Sequence, residues 1–192
     1  EDGEFFDMEE DERGTYIMNS KDLNMINRIA EMDNAGIVSL KIEGRMKGEY
    51  YLATVINAYR RAIDEYYKVG EEYKNNSLFN QELLKTFHRA FTEAYALGKN
   101  DKTVNYEDSQ SAGNSIFTAY VLGYDNERKA ALVEMRNRFM VGDKLEVLSP
   151  GEYFNQIITV EKLENLSGTE ISDAKLVQEK LYLYTDLPLK EG

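Results

Sequence analysis

Near residue 115 the hydrophobic pattern changes its period, and this change constrains the fold more than any other feature. Before it, apolar residues recur at helical spacing around one short β-branched run. After it, they come in short runs separated by turns. The chain has 192 residues, a length that allows one domain or two small ones. The break predicts an α/β part followed by a β part, an α+β chain as a whole.

In the first part, Ser20 is placed to cap a helix with Leu23, Ile26, Ile29, Ala30 and Met32 on one stripe and Gly36 as its stop. Residues 37–43 then read as a buried strand, broken by Gly44-Arg45-Met46-Lys47-Gly48. A long amphipathic helix follows on Leu52, Val55, Ile56, Tyr59, Ala62, Ile63 and Tyr66. A further helix is expected over 79–97, with Gly98 as its stop, and residues 99–115 carry no period and read as a linker. Strands are expected at 116–124, 129–136, 144–148, 154–163 and 180–185, with turns at 125–127, 141–143 and 149–151 and a looser stretch at 166–177. Such spacing suggests a small antiparallel barrel. No internal repeat is visible. A lone βα unit cannot cover a parallel strand on both faces, so residues 13–70 look like the end of something larger.

The formal net charge of −12 is unevenly placed. Residues 1–12 hold eight acids and no base, residues 13–115 hold 14 of each, and residues 116–192 hold 13 acids and nine bases. The body is only mildly acidic, which leaves nucleic acid open as a partner. The absence of cysteine excludes disulfides, thiolate zinc sites and a self-contained iron–sulfur cluster. No apolar run approaches the roughly 18–20 residues of a membrane span, and no secretory segment is visible, so a cytoplasmic protein without a membrane partner is expected.

The best-placed polar cluster is Lys41, Glu43, Arg45 and Lys47. Side chains alternate along a strand, which puts Ser39, Lys41 and Glu43 on one face and Val38, Leu40 and Ile42 on the other. Charged residues at the C-terminal end of a parallel barrel strand project into the mouth where such folds keep their sites. Arg45 and Lys47 precede a helix N-terminus, which favours an anion. One reading makes Lys41, Glu43 and Arg45 catalytic candidates, with Arg45 and Lys47 holding a phosphate or carboxylate. The other is a structural Lys41–Glu43 pair, and pattern alone leaves both open.

In the β part, Arg128, Lys129, Arg136 and Arg138, with Lys144 nearby, are candidates for contact with an RNA backbone. A solvated loop with Arg–Glu pairs is the alternative. His88, the sole histidine, is expected to be partly buried and hydrogen-bonded rather than a base. One histidine without cysteine gives no metal spacing, so no metal site is expected. Residues 9–12 lack the spaced ligands of a calcium loop. Of 14 tyrosines, Tyr50, Tyr51, Tyr59, Tyr66 and Tyr67 share one helix. Core or interface packing is expected for most, and a stacking platform for bases is the alternative.

Glu10-Asp11-Glu12-Arg13-Gly14-Thr15-Tyr16-Ile17, Asn19-Ser20-Lys21-Asp22-Leu23 and Ser39-Leu40-Lys41-Ile42-Glu43-Gly44-Arg45-Met46-Lys47 together resemble the U-32 peptidase family, the collagenase-like proteases found mainly in bacteria. The resemblance continues at Ala53-Thr54-Val55, Tyr59-Arg60, Phe91-Thr92-Glu93, Ser111-Ala112-Gly113 and Arg136-Asn137-Arg138-Phe139, and thins after about residue 165. It implies an N-terminal eight-stranded βα barrel and a small C-terminal β-barrel. On that footing residues 1–70 would end the first domain, 71–115 would be a helical connector and linker, and 116–192 would form the second. The resemblance also extends to RNA hydroxylation factors acting on tRNA or ribosomal RNA. Those depend on prephenate and on an iron–sulfur cluster held by four cysteines. Three would lie upstream, and the fourth position, after Ser-Lys-Asp-Leu, is Asn24 here. No cofactor is therefore expected in this stretch, and Asn24 counts against the cluster. Ala90 and Ala94 stand where the family leads one to expect glycine, and His88 where it leads one to expect asparagine.

The resulting expectation is the C-terminal part of a U-32 family protein, inactive alone, whose β-barrel docks RNA (tRNA or rRNA) or protein and whose partner is the missing N-terminal barrel. The alternatives are a genuine peptidase, acting on a peptide substrate at residues 41–45, and a non-enzymatic interaction module.

Overall fold

The computed structural model describes residues 9–11, 14–16, 19–98, 104–105 and 113–192. It divides into two units, Glu1–Asn114 and Ser115–Gly192.

In the first unit, β1 (Glu9–Asp11) and β2 (Gly14–Tyr16) form an antiparallel hairpin. Of the acidic stretch considered as a cation site, residues 9–11 form β1 and residue 12 lies outside the described residues, as do residues 1–8. β3 (Asn19–Ser20) pairs antiparallel with β6 (Val104–Asn105). β4 (Asp22–Leu23) pairs parallel with β5 (Phe91–Thr92). Between β4 and β5 lie three helices, α1 (Ile29–Asn34), α2 (Glu49–Val69) and α3 (Ser77–Leu84). Ile26, Ile29 and Met32, then Val55, Ala58 and Ala62 of α2, then Phe79 and Leu83 of α3 make one core. α2 follows its apolar spacing and stops at Gly70, whose φ of +66° is cheap only for glycine.

Three expectations for this unit are corrected. The helix capped by Ser20 does not form there, because Ser20 and the Asp22–Leu23 pair are taken into strands. A 3-10 turn at Ile26–Arg28 precedes α1, and it is Asn24 whose side-chain oxygen accepts from the Ile26 N–H at 3.1 Å. The helix over 79–97 ends at Leu84, where Lys85 and Thr86 donate to carbonyls only three residues back, and the chain is then drawn off to pair with β4. Long-range pairing overrides a periodicity that continues in the sequence.

The strand expected at 37–43 is also absent. A strand exists through a ladder partner, and none runs beside it among the described residues. The Ile37 N–H instead donates to the Met32 carbonyl. Leu40 and Ile42 do pack on the helical core together, but Val38, expected beside them, is 98% exposed.

Ala94 has a left-handed φ of +48°, at a position where the resemblance leads one to expect glycine. That conformation costs an alanine roughly 1 kcal/mol. Ala94→Gly is expected to stabilise the first unit by about 1 kcal/mol, read as a raised thermal midpoint. An unchanged or lowered midpoint would show that the site does not store this strain.

The second unit is entirely of strands, β7 (Ala119–Asp125), β8 (Ala130–Met135), β9 (Phe139–Met140), β10 (Lys144–Glu146), β11 (Ile157–Thr159), β12 (Leu163–Asn165), β13 (Glu170–Ile171), β14 (Asp173–Ala174) and β15 (Lys180–Tyr184). Five form an antiparallel sheet in the order β13-β12-β15-β8-β7, and β10-β11 and β9-β14 are separate ribbons. Among the described residues the strands do not close into one continuous barrel sheet. The strand expected over 154–163 changes partners midway, since β11 pairs with β10 and β12 with β15. The corner is buried Val160, bonded through its N–H to the Asp143 carbonyl and through its carbonyl to the Gly142 N–H. Val133, Phe139, Val160, Leu163, Leu181 and Leu183 fill the core. The β7–β8 turn is set by Asp125, whose Oδ1 accepts from the Glu127 and Arg128 N–H groups at 2.9 and 3.0 Å.

Candidate functional site

The turn over residues 43–48 is built locally. The Lys47 N–H donates to the Gly44 carbonyl, and Glu43 Oε1 accepts from the Arg45 N–H at 2.9 Å. A Cβ on Gly44 would meet the tip of the Leu52 side chain, so the turn lies close against α2 and a larger residue there makes Leu52 turn aside. Lys47 folds back along the surface, with Nζ donating to the Phe87 carbonyl at 2.7 Å and lying 5.0 Å from the centre of the Tyr51 ring. Burial, reinforced by the Asp22 and Glu43 carboxylates, pushes the Tyr51 phenol up and keeps it protonated. Asp22 is in turn clasped by Arg89, through its N–H at 3.0 Å, Nε at 2.9 Å and a guanidinium nitrogen at 2.7 Å.

The structure thus brings Glu43 and Lys47 together with Asp22, Tyr51 and Arg89. Lys41 and Arg45 are exposed and make no ion pair among the described residues, and no Lys41–Glu43 pair is among those formed. The predicted phosphate holder divides accordingly. Lys47 is committed to a carbonyl and a ring, while Lys41 and Arg45 remain open to an anion. The first turn of α2 carries Glu49, which offsets part of the attraction of that helix end.

His88 is buried. Its Nδ1 lies 2.8 Å from the Arg89 carbonyl, and its ring stacks on Phe91 at 4.2 Å. This is a satisfied packing residue. A polar cleft of ≈ 380 Å³ lies nearby in the fold, lined by Asn27, Arg28, Asn75, Ser77, Asn80 and Glu93. Arg28 and Glu93 are joined by two hydrogen bonds, at 2.9 and 3.1 Å. Sequence reasoning missed these residues. Only Glu93, inside the Phe91-Thr92-Glu93 motif, offered a signal.

Asn24 tests the implied iron–sulfur cluster. Its Nδ2 donates to Asn80 Oδ1 at 2.9 Å, and its Oδ1 caps the Ile26 N–H. An amide committed on both atoms is not a thiolate ligand, and among the described residues no group of three or more His, Cys, Asp or Glu side chains converges to hold a metal. The residues present here do not fit the cluster.

In the second unit the four basic candidates fall at opposite ends of β8. Arg128 and Lys129 sit at its start, Arg136 and Arg138 beyond its end, about 25 Å apart at strand rise. Each is ion-paired. Arg128 meets Glu164 at 2.9 Å and Asp125 at 3.5 Å, Lys129 meets Asp186 at 3.0 Å, Arg136 meets Glu134 at 3.2 Å, and Arg138 meets Asp173 at 2.8 Å. The basic stretch read along the sequence is therefore not one patch.

Glu164 is the hub of the first pair. Tyr184 donates to it at 2.9 Å, and Lys162 lies 3.5 Å away. The Tyr184 hydroxyl chiefly, then Lys162 and Arg128, hold its carboxyl below the ordinary value of 4.5. A lowered carboxylate contributes stability that is complete above the ordinary value and lost as the pH falls through the lowered one. Glu164→Gln is therefore expected to flatten the acid limb of a stability profile below about pH 4.5. An unaltered acid limb would remove Glu164 from this role.

Residues 2–106 match the sequence profile of Peptidase family U32, and residues 114–192 that of the Peptidase family U32 C-terminal domain. The chain is 39% identical over 169 residues to tRNA hydroxylation protein P of Escherichia coli (strain K12), covering 86% of this chain and 36% of that protein. It is 30% identical over 146 residues to a collagenase of Porphyromonas gingivalis, covering 74% and 35%. A crystal structure of a Geobacillus thermoleovorans U32 C-terminal domain is 31% identical, covering 40% of this chain and 92% of that one, with a TM-score of 0.37. The chain spans little more than a third of the length of the curated relatives named here. Among the described residues, no helix is long and apolar enough to cross a membrane.

Proposed function

The chain belongs to peptidase family U32, and from that premise we propose that it is the C-terminal part of an RNA-modifying member, with its β unit docking RNA. The observation that carries this reading is the 39% identity to a tRNA hydroxylation protein across 86% of this chain. The site geometry agrees with it. Around residues 41–47 the described side chains offer cations and a protonated phenol, groups suited to binding an anionic substrate.

In this reading residues 1–70 end a βα-barrel domain, 71–115 connect, and 116–192 form the small β-barrel domain of a cytoplasmic protein. Residues 37–43 become a strand when neighbouring strands from the rest of the protein supply a ladder. Lys41 and Arg45 bind an anionic group of the substrate, Glu43 holds the backbone of Arg45, and Lys47 positions the turn.

The test is an electrophoretic shift of unfractionated tRNA by the chain at two salt concentrations. Binding that weakens as salt rises is expected, together with no cleavage of gelatin. Absence of a shift at low salt overturns the docking role. Gelatin cleavage lost in Glu43→Gln or Lys41→Met would favour the peptidase reading that the collagenase relative raises.

A further inference from the structure

The outward face of the five-stranded sheet combines aromatic rings and cations in a layered way. β15 turns Leu181 and Leu183 to the core, so Tyr182 and Tyr184 lie on the opposite face. The register places Tyr182 between Glu164 of β12 and Leu132 of β8. Beyond Leu132 the next residue across is Gly123, at the irregularity in β7, and the space where its side chain would be is open.

Each tyrosine carries a cation on its ring. The Arg128 guanidinium carbon is 4.8 Å from the Tyr182 ring centre, and Lys162 Nζ is 4.2 Å from that of Tyr184. Both cations, and the Tyr184 hydroxyl, are tied to the same Glu164 carboxylate. Arg128 is held additionally by Asp125. The guanidinium is thus fixed over an aromatic ring by carboxylates, and the Arg128 side chain stays about half exposed.

The charges are stratified. Side-chain exposure is 47% for Arg128 and 38% for Lys162, but 11% for Glu164 and 19% for Glu134. Exposed Lys180 adds a third cation on the same face, opposite Glu134. Glu170 on β13 and Asp125 at the turn mark its acidic margins. Three cations and four carboxylates thus share the face, and around Tyr182 and Tyr184 the cations Arg128 and Lys162 stand out further than the buried Glu164 that holds them. Positive charge outermost is what an anionic backbone requires, and a stacked guanidinium and aromatic rings are what unpaired bases require.

We propose that this face, centred on Tyr182, Arg128, Tyr184 and Lys162, binds a single-stranded segment of RNA, with a base stacking on the Arg128–Tyr182 pair. The proposal rests on the RNA-docking reading above and adds its location and its preference for unpaired bases. Duplex RNA, whose bases are already stacked, is bound more weakly. The cluster at Arg136 and Arg138 is not required.

The test uses the whole chain, a 12-nucleotide oligouridylate and its duplex with oligoadenylate, followed by fluorescence anisotropy. Tyr182→Leu and Arg128→Met are each expected to weaken binding of the single strand by about five-fold or more, with circular dichroism unchanged. Lys175→Gln removes one positive charge from the β9–β14 ribbon, where Lys175 faces Asp173 at 3.5 Å, and should change binding less than about two-fold. Photocrosslinking of the wild-type chain with 5-iodouridine oligonucleotide should label Tyr182 or Tyr184, a readout that needs no variant. If RNA binds but neither variant weakens it and the crosslink maps elsewhere, this location is wrong while the docking reading stands. Equal loss in Lys175→Gln, or duplex bound as tightly as single strand, also overturns it. No binding of the oligonucleotide or of tRNA at low salt overturns both.

Discussion

Replacing Phe139 by alanine is expected to destabilise the second unit by about 3–5 kcal/mol. Phe139 directly follows Arg138, a candidate for RNA contact, yet it is among the largest fully buried side chains. It lies on β9 opposite buried Ala174 of β14, and it packs in the same core as Val133, Leu163 and Leu181. Removing the ring leaves a cavity that a ribbon tied to its neighbours cannot collapse to fill. Its neighbour Met140 is exposed, so Met140→Ala should fall within about 0.5 kcal/mol of the parent. Urea unfolding followed by near-ultraviolet circular dichroism of the tyrosines measures both. A loss below about 1 kcal/mol for Phe139→Ala would mean that β9 is not part of the cooperative core.

Lys85→Met is expected to have a comparable effect on the first unit, about 3–5 kcal/mol. Its ammonium lies 2.7 Å from the carboxylate of Glu82, which is 2% exposed. Deleting the cation removes a short ion pair from a buried carboxylate. The penalty arises from the weaker compensation of that charge rather than from the worth of the pair. The double variant Glu82→Met, Lys85→Met should therefore recover most of the loss, since apolar replacement of both partners is often near neutral. A double variant no better than the single would locate the effect in the shape of α3 rather than in charge.

Features determined within a few residues were legible in the sequence. α2 followed from its apolar spacing, the β7–β8 turn fell where Asp125-Asn126-Glu127 suggested, and His88 is a buried, hydrogen-bonded histidine as expected. Features determined by distant pairing were not. Ser20 looks like a helix cap until Val104 takes it as a strand partner. The apolar stripe of α3 continues to Phe91, and only the pairing of Phe91 with Asp22 shows why the helix must stop. The candidate site divides the same way. Residues 41–47 group because they are contiguous, but Lys47 finds its partner at Phe87, 40 positions on. The Arg128–Tyr182 stack follows from the register of β8 against β15 and from nothing local. A charge pattern read linearly joined Arg128 to Arg136 across a strand that holds them apart.

The parallel contact between β4 and β5 has a kinetic consequence. Two short segments, starting at Asp22 and Phe91, meet in register and are fastened by Arg89 to Asp22. The helices α1, α2 and α3 all lie within the ring these segments close. Joining ends so far apart in sequence carries a loop entropy that rises only logarithmically with length, but it is repaid by very few bonds. Closure should thus follow helix packing in folding and reopen before it in unfolding. The amides of Asp22 and Asn24, bonded to the Ala90 and Thr92 carbonyls, would then exchange hydrogen by local opening, while α2 stays protected until the unit unfolds as a whole.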